Sequence, residues 1–143
     1  MFKHILLPLA VSDSEQRVVD AAAELTRDHS AVLSLIHVVE TLEDAASADG
    51  ADELEGFYDE LCRKAEAKLG AWAAPLADAG LQVDVSIVRG KRAREIVAAA
   101  ESGGCDLIVM GTHRIDREHP AGGLGTVSHQ VALLAPCAVL LLR

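Results

Sequence analysis

The residues best suited to chemistry lie in one glycine-rich stretch, from Met110 to Ser128. Because glycine has no side chain, backbone N–H groups there can approach an anion closely. The segment Gly125-Thr-Val-Ser128 opens a predicted helix, whose free N–H groups and dipole attract negative charge. The stretch also supplies hydroxyl and cationic donors, namely Thr126, Ser128, His113, Arg114, Arg117 and His119. This chemistry suits a polyphosphate, although the same glycines could simply turn the chain.

Two other clusters admit both a functional and a structural interpretation. Lys91, Arg92 and Arg94 stand at the start of a predicted helix. They could contact an anion at the ligand edge of a sheet, or they could be exposed cations that offset an acidic surface. Three histidines (His113, His119 and His129) could bind zinc, but their spacing fits no compact ligand set, so we expect no metal.

Two single residues are better explained by structure than by catalysis. His37 lies inside an apolar strand and is expected to be a hydrogen-bonded core or strand-end histidine. Ser12 is not part of a G-x-S-x-G nucleophile elbow, so we interpret it as a helix N-cap. The turn after the first strand also lacks a G-x-G-x-x-G motif, and the chain contains no Walker P-loop. A dehydrogenase is therefore disfavoured.

Strands and helices alternate along the chain. Apolar runs predict five strands, at residues 2–9, 31–39, 81–87, 106–110 and 137–142. Helical periodicity and capping signals predict four helices between them, starting at the Ser12-x-x-Glu15 capping box, at residue 52, at residue 93 and at residue 125. We expect Pro75 to bend or shorten the second helix and Gly80 to end it. This order indicates an α/β fold with a parallel sheet that has helices on both faces.

Composition agrees with one domain over residues 1–143. Half of the residues are hydrophobic but only 3% are aromatic, so the core must be aliphatic. The net charge of -9 disfavours binding to nucleic acid, and the acidic stretch 40–60 is interpreted as a solvated surface.

The expected location is the cytoplasm. No signal peptide is apparent, and the longest apolar stretch is too short to span a membrane. Cys62, Cys105 and Cys137 form no CxxC pair and are interpreted as reduced thiols.

Several segments together resemble the universal stress protein family over the whole chain. They are the opening K-H-I-L-L-P, Leu35-Ile-His-Val-Val-Glu40, Asp106-Leu-Ile-Val-Met-Gly-Thr-His113, the glycine-bearing loop and the ending Ala135-Pro-Cys-Ala-Val-Leu-Leu-Leu-Arg143. The resemblance implies a three-layer α/β/α fold of the adenine nucleotide alpha hydrolase-like type, with parallel strands in the order 3-2-1-4-5. It also implies a homodimer through the last strand, Ala138–Leu142, and in many members ATP or AMP binding in a stress response.

The resemblance also implies a set of nucleotide-binding positions. The base and ribose would lie near Pro8, Leu9, Ala10 and Val38. The ribose and phosphates would lie near Met110, Gly111, His113, Arg114, Gly125, Thr126, Val127 and Ser128.

Three departures from the family pattern affect this site. Ala10 stands where an Asp that hydrogen-bonds the nucleotide is usual, with Val11 where Gly is common. In the pattern G-x2-G-x9-G-[ST], Arg114 replaces the second glycine and the spacer is longer by one residue. Arg114 could clash with a phosphate or pair with it, and charge favours pairing.

Three function classes follow from these observations. The first is a nucleotide-binding regulatory module, with at most slow ATP hydrolysis because no general base or metal-binding carboxylate is evident beyond Asp13 and Asp116. The second is a family member that lacks nucleotide and acts through dimerisation and partner contacts. The third, an adenylating ligase or flavoprotein subunit of a related fold, is disfavoured because the ligase signatures are missing.

Overall fold

Five strands and four helices alternate in the computed structural model, which describes residues 1–12, 15–42, 50–112 and 126–143. The strands are β1 (His4–Pro8), β2 (Val32–Glu40), β3 (Gln82–Gly90), β4 (Leu107–Gly111) and β5 (Ala138–Leu142). The helices are α1 (Gln16–His29), α2 (Ala51–Asp78), α3 (Arg92–Gly103) and α4 (Val127–Leu134). The predicted alternation is confirmed.

Some boundaries differ from the sequence prediction. The first helix begins later than the capping-box spacing predicts, at Gln16, with Glu15 as its N-cap. Helix α2 continues past Pro75 to Asp78, because a proline in the last turn removes only one of the final hydrogen bonds. Gly80 then adopts a positive φ of 93°, and the Leu81 amide donates to the Leu76 carbonyl, so the predicted stop at Gly80 is confirmed.

All five strands are parallel and lie in the order β3-β2-β1-β4-β5, as the family resemblance implies. The chain therefore leaves β1 in one direction to form β2 and β3, and β4 and β5 lie on the other side of β1. Where strand order reverses in this way, a crevice opens beyond the carboxyl ends of the strands. In this fold that crevice lies above β1 and β4.

Each face of the sheet has its own aliphatic core. One core joins α1 and α2 to the sheet through residues such as Val19, Ala22 and Leu69. The other joins α3 and α4 through residues such as Ile96 and Val131. The helices therefore form the two outer layers of an α/β/α sandwich.

Strand β5 forms one edge of the sheet and is less covered than the central strands. Leu140 and Leu141 are 37% and 38% exposed, whereas Ile5 and Ile108 on the central strands are completely buried. Within the described residues, no helix is both long and apolar enough to cross a membrane.

Candidate functional site

A cavity of about 340 Å³ occupies the crevice at the carboxyl ends of β1, β2 and β4. Every predicted site residue that the structure describes lines it: Pro8, Leu9, Ala10, Val38, Met110, Gly111, Thr126, Val127 and Ser128. The other three, His113, Arg114 and Gly125, lie outside the described residues. These residues come from four segments that are separate in the sequence and share one cavity.

One wall of the cavity is apolar. Ile36 and Val38 on β2, Met110 on β4 and Ile96 on α3 contribute to it, and each is at most 6% exposed. They belong to the same aliphatic core between the sheet, α3 and α4. A wall of this kind suits a flat, weakly polar group such as a nucleobase.

Hydroxyl groups cluster where α4 begins. Thr126 is the N-cap of α4, and its Oγ1 accepts a hydrogen bond from the His129 amide at 3.3 Å. The Ser128 Oγ lies 3.2 Å from the Thr126 Oγ1 and 3.1 Å from the Thr112 Oγ1. Because the first amides of a helix carry partial positive charge, hydroxyls placed there favour an anionic group.

The loop after β1 is held against β2 by two hydrogen bonds. The Leu9 amide donates to the Ile36 carbonyl at 2.8 Å. The His37 Nδ1 lies 2.7 Å from the Leu9 carbonyl oxygen, which can only accept, so Nδ1 carries the proton. His37 is thus a hydrogen-bonded strand-end histidine, as predicted, and it also lines the cavity.

Two charged residues of the cavity wall are Glu15, which the sequence did not indicate as a site residue, and Arg92, for which contact with an anion at this edge was one of two interpretations. The Ser12-x-x-Glu15 spacing predicts a helix-capping role for Glu15. Arg92 had been grouped with two other cations, but Lys91 and Arg94 line a neighbouring groove between α3 and α4, which Arg92 also borders. The sequence feature that could have indicated both residues is their position, since each stands at the start of a helix that follows a strand of the parallel sheet.

Gly111, at the end of β4, packs closely against the start of α1. A Cβ atom added to it would lie 3.1 Å from the Val18 Cγ2 and 4.0 Å from the Glu15 Oε2. The Glu15 carboxylate therefore lies directly beside this glycine.

The described residues contain no cluster of three or more His, Cys, Asp or Glu side chains that could hold a metal ion. Of the three histidines weighed for zinc, only His129 is described.

Comparison with known proteins identifies the family. The model of the universal stress protein family matches residues 1–143. The chain belongs to the universal stress protein family. Universal stress protein YxiE of Bacillus subtilis (strain 168) is 32% identical over 149 residues, covering 100% of both chains.

Solved structures of this family share the fold. Universal stress protein UspA from Lactobacillus plantarum matches with a TM-score of 0.81 and 24% identity, covering 99% of this chain and 97% of that chain. A universal stress protein in complex with cAMP matches with a TM-score of 0.68 and 21% identity, over 99% and 97% of the two chains. The universal stress protein from Archaeoglobus fulgidus in complex with dAMP has the same score and identity, over 99% and 98%.

Proposed function

We propose that this universal stress protein binds an adenine nucleotide, ATP or AMP, in the cavity above β1 and β4 and acts as a regulatory module in a stress response. The observation that carries the proposal is the pairing of two unlike walls in one cavity. The apolar wall suits the base, and the hydroxyl cluster at the start of α4 suits the phosphates.

The family supports the same ligand class. Two structural neighbours are complexes with cAMP and with dAMP, which are both adenine nucleotides. Arg92 lines this chain's cavity, and its guanidinium favours a phosphate-bearing ligand.

Ala10 lowers the affinity that we expect. It lines the cavity but has no group that could accept a hydrogen bond from the ligand. The loss of one charged acceptor weakens binding by about 1.5–3 kcal/mol, or roughly 10- to 150-fold in Kd. Assays should therefore extend to millimolar nucleotide.

Calorimetric titration with ATP and AMP tests the proposal, together with mass spectrometry of nucleotide released from denatured protein. Arg92→Ala should weaken ATP binding, because it removes the positive charge of a residue that lines the cavity. Arg94→Ala is the matched control, since it makes the same change two residues away on α3 but lies on the neighbouring groove. Wild-type protein that releases no nucleotide and binds none at millimolar concentration would contradict the proposed function.

A second candidate function is dimerisation with contacts to a protein partner. Edge strand β5 leaves Leu140 and Leu141 partly exposed, and nearby Leu133 and Leu134 on α4 are 72% and 63% exposed. A second copy pairing along Ala138–Leu142 would cover this apolar edge. Light scattering at several concentrations checks the dimer, and a monomer throughout would exclude it.

The variant Ala10→Asp separates the two functions. It restores a carboxylate at a position that lines the cavity. If wild-type protein binds no ATP and the variant does, the natural site is degenerate and the second function is favoured.

We also propose a cytoplasmic location and, at most, slow ATP hydrolysis.

A further inference from the structure

Glu15 has an unusual place in the cavity. Among the described residues that line the cavity, Glu15 is the one with a carboxylate and Arg92 is the one with a guanidinium. The Glu15 Oε2 lies 4.0 Å from the position of a Cβ on Gly111. The carboxylate thus stands over the end of β4, at the first residue after the loop that follows β1.

The neighbours of Gly111 show which part of a ligand would meet this carboxylate. Met110, just before it, belongs to the apolar wall, and Thr112, just after it, belongs to the hydroxyl cluster through its 3.1 Å contact with Ser128. Gly111 therefore lies between the two walls. In a nucleotide, the sugar is the group that connects the base to the phosphate.

The chemistry of a carboxylate leads to the same part of the ligand. An ionised carboxylate accepts hydrogen bonds and donates none, and a phosphate group carries the same sign of charge. The part of a ligand that contacts the Glu15 carboxylate must therefore be a hydrogen-bond donor without negative charge. The 2′- and 3′-hydroxyls of ribose meet both conditions, and acidic side chains bind ribose hydroxyls in other nucleotide folds.

We propose that Glu15 accepts hydrogen bonds from the ribose hydroxyls and makes this protein selective for ribonucleotides over deoxyribonucleotides. The inference rests on the proposed nucleotide binding and deepens it. Glu15 supplies, from the start of α1, an acceptor that Ala10 cannot supply on the same cavity wall.

Glu15 can be replaced without removing a helix cap. It is the N-cap residue of α1, but its side chain makes no capping hydrogen bond. The variant Glu15→Gln keeps the size of the side chain and removes its charge. Glu24→Gln makes the same change at an exposed position of α1 that does not line the cavity, and serves as the matched control.

The experiment measures Kd for ATP, 2′-deoxy-ATP and 3′-deoxy-ATP by calorimetry in wild type and both variants. Wild type should bind ATP roughly 10-fold more tightly than at least one deoxy analogue, as expected for one hydrogen bond to a charged group. In Glu15→Gln this ratio should fall to about 3-fold or less, while Glu24→Gln keeps the wild-type ratio. Thermal melting checks that each variant is folded, and Glu15→Ala replaces Glu15→Gln if the latter is not.

The outcomes separate this inference from the function on which it rests. If wild type binds ATP and the ratio survives in Glu15→Gln, the ribose role is wrong and nucleotide binding stands. If both variants lower the ratio equally, the effect comes from net charge and the inference is again wrong. If wild type binds none of the three nucleotides, the proposed function and the inference fail together.

Discussion

Replacing Gly90 by alanine should destabilise the protein in a way that tests its backbone geometry. Gly90 is the last residue of β3 and has a φ of 149°, a conformation that other residues rarely adopt. A Cβ atom there would also lie 2.7 Å from both the Cγ and the Oε1 of Glu95. The substitution therefore meets backbone strain and a steric overlap together.

The expected loss of stability is the sum of the backbone strain and the steric overlap. A non-glycine residue in such a backbone region costs about 1–3 kcal/mol. The Glu95 side chain, in the first turn of α3, can rotate away at a smaller cost, because it is long and flexible. A loss near 2 kcal/mol should lower Tm by roughly 6–10 °C in a domain of this size.

The assay is thermal and urea unfolding of Gly90→Ala beside a matched Gly56→Ala control. Gly56 lies inside α2, and a Cβ there would meet nothing within 4 Å. The control should gain about 0.5–1 kcal/mol, because alanine favours helix over glycine. The two glycine-to-alanine substitutions are thus expected to change the free energy of unfolding in opposite directions.

A Gly90→Ala protein as stable as wild type would refute this reasoning. Comparing it with the double variant Gly90→Ala/Glu95→Ala separates the two causes. If the loss persists without the Glu95 side chain, the backbone conformation is responsible; if it disappears, the steric overlap is responsible.

Two further predictions concern titratable groups. Burial favours a raised pKa for the Asp106 carboxyl, but backbone N–H bonds from Lys3 (2.8 Å) and His4 (3.1 Å) outweigh it and lower that pKa. The stabilisation from these hydrogen bonds is therefore present at neutral pH and is lost as pH falls through the lowered pKa of Asp106. Asp106→Asn should lower the unfolding free energy by about 1–2 kcal/mol at pH 7 in urea titrations, and the difference from wild type should shrink steadily as the pH is lowered into the acid range. A difference that stays constant over the whole pH series would contradict this assignment. Burial, with smaller contributions from neighbouring acidic groups, raises the pKa of the Cys105 thiol to about 11. Iodoacetamide at pH 8 should therefore alkylate Cys105 far more slowly than the less buried Cys62, as peptide mass spectrometry can measure, and equal rates would refute the assignment.

The fold was largely predictable because the strands carry continuous apolar runs. Leu33, Leu35 and Ile36 on β2 and Ile108 and Val109 on β4 are almost completely buried, so neighbouring residues that point to opposite faces are both apolar. This pattern identifies central strands of a parallel sheet. Strand order came from the family resemblance, because hydrophobic periodicity contains no information on which strands are neighbours.

The candidate site was predictable in part: Glu15 was not indicated, and for Arg92 the sequence left a structural interpretation open beside the functional one. Pro8, Gly111 and Thr126 stand in motifs that local sequence reveals. Glu15 and Arg92 reach the cavity only because α1 and α3 begin at the same edge of the sheet. That proximity is tertiary, and the helix-capping spacing offered a sufficient local explanation for Glu15.

The position of the cavity and the choice of the ligand that we propose for it therefore depend on different features of the chain. Topology fixes the position, because the reversal of strand order between β1 and β4 opens a crevice whichever residues border it. For the nucleotide that we propose as ligand, the contacts come from the helix starts around the crevice. Helix α4 contributes hydroxyls, while Glu15 and Arg92, at the starts of α1 and α3, contribute opposite charges. A change such as Ala10 can thus weaken one contact without closing the cavity, and a residue on another helix start can replace the lost hydrogen-bond acceptor.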